Sequence, residues 1–163
     1  MSGRRIVVLG CAGAGKTTFA ARMSALIGAP HVCLDRIWRL DWGPNDVPRF
    51  RALLADAHAG EAWISEGNFA VASFDLRLPR ADLVVWVERP RLVCAWRAVS
   101  RVLKPGEDHR PGRLIHVLRF IWGFDRINRP RIERLLAEHG PGLSVVRLAS
   151  RAEEDSLLAG LKN

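Results

Sequence analysis

Cysteine is scarce and scattered in this chain. Cys11, Cys33 and Cys94 are the only three in 163 residues, and no two form a C-x-x-C pair. That excludes a disulfide framework and predicts free thiols in a reducing cytoplasm. His31, His58, His109, His116 and His139 show no ligand spacing, so no metal site is expected beyond a magnesium ion carried by a nucleotide. Long apolar runs are missing as well. No stretch approaches the roughly 20 apolar residues of a membrane span. The run before Cys11 is also shorter than the about 7–15 residues of a secretory segment, so neither membrane insertion nor export is expected. There is no low-complexity tract and no internal repeat. Lysine is nearly absent, with three against 22 arginines, a bias that partly reflects genome composition.

What remains is the composition of a soluble globular enzyme: 48% apolar, 26% charged, and long enough for one domain, 1–163, with a full core. Within it stands Gly10-Cys11-Ala12-Gly13-Ala14-Gly15-Lys16-Thr17, followed by Thr18. It fits the pattern G-x-x-x-x-G-K-[ST] at every fixed position. The flanks agree with it. Arg4-Arg5-Ile6-Val7-Val8-Leu9 reads as a buried strand, and the apolar spacing from Lys16 to Ile27 reads as a helix that Gly28 ends. A strand, a glycine-rich loop and a helix turn successive backbone N–H groups and the positive end of the helix dipole toward one anion. Lys16 is then placed for the terminal phosphates of ATP, and the Thr17 hydroxyl for Mg2+.

Further along, His31-Val32-Cys33-Leu34 is a second strand candidate ending at Asp35, and Ala62-Trp63-Ile64-Ser65 a third, running into Glu66-Gly67-Asn68. Acids at the C-terminal ends of strands in an α/β sheet lie at the ligand crevice. Asp35 has two readings there, a group handling an acceptor proton or magnesium-bound water, and a helix cap. Glu66 is a candidate for the magnesium shell. Trp38 and Trp42, in a loop, either stack on a planar substrate or plug the loop to the core. Asn45 or Asp46 caps a helix that Gly60 closes. Phe74 to Leu78 supplies one or two helical turns, Asp82 to Val87 a fourth strand, and Arg91 to Leu103 a broadly apolar helix on which Arg97 and Arg101 share a face. Two prolines and two glycines mark 104–112 as a loop placed to act as a lid, in which Arg110 either serves the transition state or is a solvated loop residue. Residues 113–139 read as helical with a kink at Gly123 or Pro130, 143–148 as a fifth strand, and Ser150-x-x-Glu153 as a capping box opening the last helix. Strands alternating with helices in this way mean a parallel sheet covered on both faces.

The net charge is +8, and the segment 97–134 carries ten basic residues against four acidic ones. Such a segment either grips nucleic acid, holds a phosphorylated substrate, or is a solvated face. The succession of the phosphate loop, Leu34-Asp35 with Trp38, Trp63-Ile64-Ser65-Glu66-Gly67-Asn68, Phe74-Asp75-Leu76-Arg77-Leu78, Arg89-Pro90-Arg91, Trp96-Arg97, Arg129-Pro130-Arg131-Ile132 and Arg147-Leu148-x-Ser150-Arg151 resembles the adenylate kinase-related proteins known in bacteria as DNA topology modulation proteins. The resemblance implies an adenylate kinase-like P-loop fold, sheet order 2-3-1-4-5, and cytoplasmic ATP binding. The chain departs from that family in having Glu66 where aspartate is usual and a shorter insert at 104–112. Two functions follow as expectations. One is a kinase moving the γ-phosphoryl of ATP to a nucleoside or nucleotide, using Lys16, Asp35, Glu66, Arg97, Arg101 and Arg110. The other is an ATP-binding protein that acts on DNA through the basic segment; the chain contains no known DNA-reading motif.

Overall fold

A strand buried on both faces needs paired neighbours at both edges and helices above and below. Ile6, Val7, Val8 and Leu9 are all buried, and their strand occupies the middle of the sheet. The computed structural model describes residues 4–39, 41–102 and 111–161. In it β1 (Arg5–Gly10) pairs in parallel with β3 (Trp63–Glu66) on one side and β4 (Leu83–Val87) on the other. β2 (His31–Cys33) adds to β3, and β5 (Val145–Leu148) to β4. The order is β2-β3-β1-β4-β5, parallel throughout. This is the P-loop NTPase fold, with the order that the sequence resemblance implies.

The helices are α1 (Lys16–Ile27), α2 (Leu34–Ile37), α3 (Val47–Ala57), α4 (Ala70–Arg77), α5 (Arg91–Val102), α6 (Pro111–Gly123), α7 (Arg129–His139) and α8 (Arg151–Leu161). Phe19, Ala20 and Met23 form the buried stripe of α1. Trp63 and Trp86 are the largest apolar side chains fully inside. The Arg129 and Arg147 guanidinium groups lie 5.3 and 4.9 Å from the Trp86 ring centroid, capping that end of the core with cation–π contacts.

Several boundaries differ from the sequence expectation. β2 stops at Cys33 and the chain turns at once into α2, so Leu34 and Asp35 are helical. Both Trp38 and Trp42 pack inward. Trp38 lies 5.8 Å from Trp42, 5.4 Å from Phe50 and 5.9 Å from Phe69 between ring centroids. They plug the loop. Asp46 does not cap α3 through its side chain; its carboxylate accepts instead from the Gly43 N–H at 2.9 Å. α4 is longer than the Phe74–Leu78 segment suggested, starting at Ala70. The helix ends at Gly123, the first of the two expected kinks. One π turn, Phe124–Asn128, separates Gly123 from α7, and Pro130 sits harmlessly in the first turn of α7. Pro111 and Gly112 begin α6 and are not loop residues. β5 covers only Val145–Leu148 of the expected 143–148. Ser150 caps α8 as expected, accepting from the Glu153 N–H at 3.2 Å, while Glu153 reaches past it to the Ala149 N–H at 2.6 Å.

Candidate functional site

The carboxyl ends of β1, β2, β3 and β4 converge on one crevice, where the connection after β1 runs to one side of the sheet and the connection after β3 to the other. The loop from Gly10 to Thr17 fills it. Two of its glycines are demanded by packing. A Cβ on Gly10 would lie 2.3 Å from the Val87 carbonyl oxygen, and one on Gly13 2.4 Å from that of Cys94. Both residues also have positive φ, +146° and +77°, so any other residue is excluded by strain and by contact. The loop is therefore pressed against β4 and α5, and α1 starts at Lys16 directly behind it.

Three side-chain contacts fix the loop further. The Lys16 ammonium donates to the Cys11 carbonyl at 3.0 Å, folded over the loop. The Thr17 hydroxyl donates to Glu66 Oε1 at 2.9 Å. Arg97 Nη1 donates to the Gly13 and Ala14 carbonyls at 3.3 and 3.2 Å. Glu66 is 1% exposed, and its second oxygen has no hydrogen-bond partner among the described residues. A buried carboxylate oxygen without a partner costs stability unless a ligand completes it. Next to it, burial and the adjacent Glu66 carboxylate push the Cys33 thiol up to about 11.

Cys11 and Cys94 face each other under the loop. Both line a cavity of about 190 Å³. The hydrogen bond between them, then burial, raises the Cys11 thiol. The same bond lowers Cys94 to about 7, helped by the charges of Arg97, Lys16 and Arg89.

A cleft of about 490 Å³ opens from the loop, lined by Lys16, Thr17, Asp35, Asn68, Phe69, Arg101, His116 and Phe120 among others. Asp35 stands exposed in the first turn of α2. Arg97 and Arg101 do lie on one side of α5, yet they do different things: Arg97 is bound to loop carbonyls, whereas Arg101 reaches the cleft. Arg110 and 104–110 of the expected lid lie outside the described residues. One arginine of the basic segment is neutralised by an acid outside it: Arg129 pairs with Glu88 at 2.5 Å, and also with Asp125 of the segment at 3.0 Å.

Sequence reasoning missed Arg77, Phe69 and Phe120. Arg77 is fully buried. Its Nη1 donates to Ser65 Oγ at 3.2 Å, and its Nη2 to the carbonyls of Gly67 and Asn68 at 3.0 and 2.8 Å. Burial lowers its pKa to about 9, opposed by the Glu66 charge. A signal was present. Ser73, Phe74, Arg77 and Leu78 share one buried face, which puts a charge on an apolar stripe. Phe69, at φ +33°, is the one positive-φ residue besides glycine among those described, and nothing in its identity announces that.

No protein-family model matches the chain. No curated protein matches it either. Among solved structures it is similar to shikimate kinase from Acinetobacter baumannii (16% identity, 98% of this chain and 90% of that one, TM-score 0.61). It is similar as well to shikimate kinase from Bacteroides thetaiotaomicron (19%, 98% and 96%, TM-score 0.61) and to a gluconokinase from Sinorhizobium meliloti 1021 (19%, 99% and 94%, TM-score 0.58). The chain shares the fold of these P-loop kinases. Among the described residues no helix is long and apolar enough to cross a membrane, and no group of three or more His, Cys, Asp or Glu is placed to hold a metal.

Proposed function

We propose that the protein is a small-molecule kinase that transfers the γ-phosphoryl group of ATP to a nucleoside- or nucleotide-like acceptor. The observation that carries this reading is the single cleft joining the phosphate loop to Asp35, with the Thr17 hydroxyl held by Glu66. A loop of inward N–H groups at a helix N-terminus fits a triphosphate. Thr17 and the unsatisfied oxygen of Glu66 fit a magnesium ion. These two residues would hold Mg2+, which supplies neutralising charge to the β- and γ-phosphates. Lys16, released from the Cys11 carbonyl, would bind the same phosphates.

On the acceptor side, Asp35 would take the proton of the attacking hydroxyl as its oxygen bonds to the γ-phosphorus and the bond to the ADP oxygen breaks. Where the acceptor is a phosphate, no such proton need move, and Asp35 would serve in orientation. Phe69 and Phe120, both lining the cleft, favour an acceptor with a flat ring. Arg101 would spread the charge that develops on the phosphoryl group. That shikimate kinase and gluconokinase share the fold supports phosphoryl transfer to a small acceptor as the activity class. The motif likeness to topology modulation proteins supports nucleotide binding and names no acceptor. The nucleic-acid reading is the weaker one, since Arg97 and Arg129 are engaged inside the fold.

The test is ATP consumption by the purified protein with magnesium, screened across nucleosides, nucleotides, small sugars and plasmid DNA. A phosphorylated nucleoside or nucleotide is the expected product. Lys16→Ala should abolish transfer while leaving the thermal transition of the ligand-free protein nearly unchanged. Undiminished transfer in that variant would overturn the assignment.

A further inference from the structure

We infer that Arg77 is a positioning residue of the proposed kinase site, locking the exit of β3 so that Asn68 holds the entrance of the phosphate loop and Phe69 forms part of the acceptor wall. The inference rests on the kinase reading and adds a residue that touches no ligand. A guanidinium buried completely is expensive, several kcal/mol even when paired. An apolar residue of similar size would fill the space between α4 and β3 at lower cost. What it could not do is bind two successive carbonyls.

Arg77 Nη2 takes the carbonyls of both Gly67 and Asn68. Drawing both inward forces the backbone through an unusual path: Gly67 at φ +127° and, two residues on, Phe69 at φ +33°. Strain at a non-glycine residue persists only where the surroundings over-determine it. Here Arg77 from one side, and the packing of Phe69 on Phe50 at 5.2 Å and on Trp38, determine it from the other. The outcome is useful in two directions. The Asn68 side chain turns toward the loop, accepting from the Gly10 N–H at 3.2 Å and donating to the Gly10 carbonyl at 2.9 Å. Both backbone groups of the loop's first residue are thereby fixed by one amide. Phe69, next in the chain, lines the cleft together with Asn68. One buried cation thus sets the spacing between the two halves of the site.

Asn68→Ala is the clean probe. It deletes the Gly10 contacts and leaves every bond of Arg77, which go to backbone carbonyls and Ser65. Arg77→Lys keeps the charge without the fork. Arg80→Ala is the control, an arginine that likewise holds carbonyls, those of His58, Ala59 and Gly60, away from the cleft. MgATP affinity and the amide resonance of Gly10 are measured in each variant and in the Asn68→Ala/Arg77→Lys double variant. Each of the first two should weaken MgATP binding roughly tenfold. The double variant should be no worse than the weaker single one, because both act along one path. The Gly10 amide should shift in both, and Arg80→Ala should lower the melting temperature alone. Additive losses, or a Gly10 resonance unmoved by Arg77→Lys, would overturn the inference. So would MgATP affinity lost equally in the control. Wild-type protein that binds no MgATP would overturn the kinase reading itself, and the inference with it. Should Arg77→Lys fail to fold, an Asn68→Ala protein with unchanged MgATP affinity would still overturn it.

Discussion

His58 is 3% exposed, with its ring edge-on to Trp63 at 4.5 Å and its Nδ1 2.7 Å from the Leu54 carbonyl. Such a ring is neutral, with Nδ1–H donating. Burial lowers its pKa to about 4, with Arg77 and Arg80 adding to the effect. The unfolded chain binds this proton near 6.5, so stability is fully present above that pH and falls as the pH drops toward 4. The loss is roughly 3 kcal/mol over that window. Denaturation midpoints between pH 7 and 4 should show the slope, and His58→Gln should flatten it; an equal slope in that variant would mean another group titrates. At the same scale, Asp35→Asn should lower kcat with ATP affinity kept, whereas Glu66→Gln should shift the magnesium dependence. The residues legible in the sequence are those whose chemistry is local. Gly10 to Thr17 declares itself because eight consecutive positions build one nest. Arg77 and Asn68 act through partners distant in the chain, Asn68 on Gly10 58 positions away, and no spacing rule reaches that far.

Among the elements, α5 carries the clearest consequence. Its two arginines were legible as a pair on one face, but their division of labour depends on how closely the phosphate loop packs against Cys94. Because Arg97 is bonded to loop carbonyls before any ligand arrives, Arg97→Ala should weaken ATP binding several-fold, on the order of 1 kcal/mol. Arg101, which lines the cleft, should cost kcat when changed to alanine and leave ATP affinity nearly intact. Steady-state kinetics in ATP separate the two. Equal effects on both constants in both variants would refute the division. Element boundaries were read less well than elements, for physical reasons. Leu34 suits a strand as well as a helix, and only the plug of Trp38 on Phe50 and Phe69 draws the chain into α2. The π turn at Phe124–Asn128 leaves no mark in an apolar pattern that continues across it.

For the molecule as a whole, the sheet order was readable through the family resemblance, and the placing of the crevice through the strand, glycine-rich loop and helix around Gly10 to Thr17. The charge was not. A surplus of six over 97–134 looks like a surface for a polyanion, yet Arg129 of that segment is paired with Glu88, an acid outside it. Binding to plasmid DNA is therefore expected at low salt, from net charge alone, and should disappear steeply toward 200 mM salt. Saturating DNA should leave kinase turnover unchanged; a stimulated rate would restore the nucleic-acid role.

The seating of Gly13 on the backbone of Cys94 makes the thiol beneath the loop a clock. Cys94 is 0% exposed, so an alkylating reagent reaches it when its cover opens, and the phosphate loop seated on its backbone is part of that cover. Each opening exposes the thiol, which reacts through its thiolate. Labelling of Cys94 therefore counts openings, at a rate set by the local opening free energy rather than by global unfolding. A ligand that bridges the loop should slow the count in proportion to its occupancy. How often the empty loop breathes, and how firmly ATP stills it, become measurable from the mass of one peptide sampled over time.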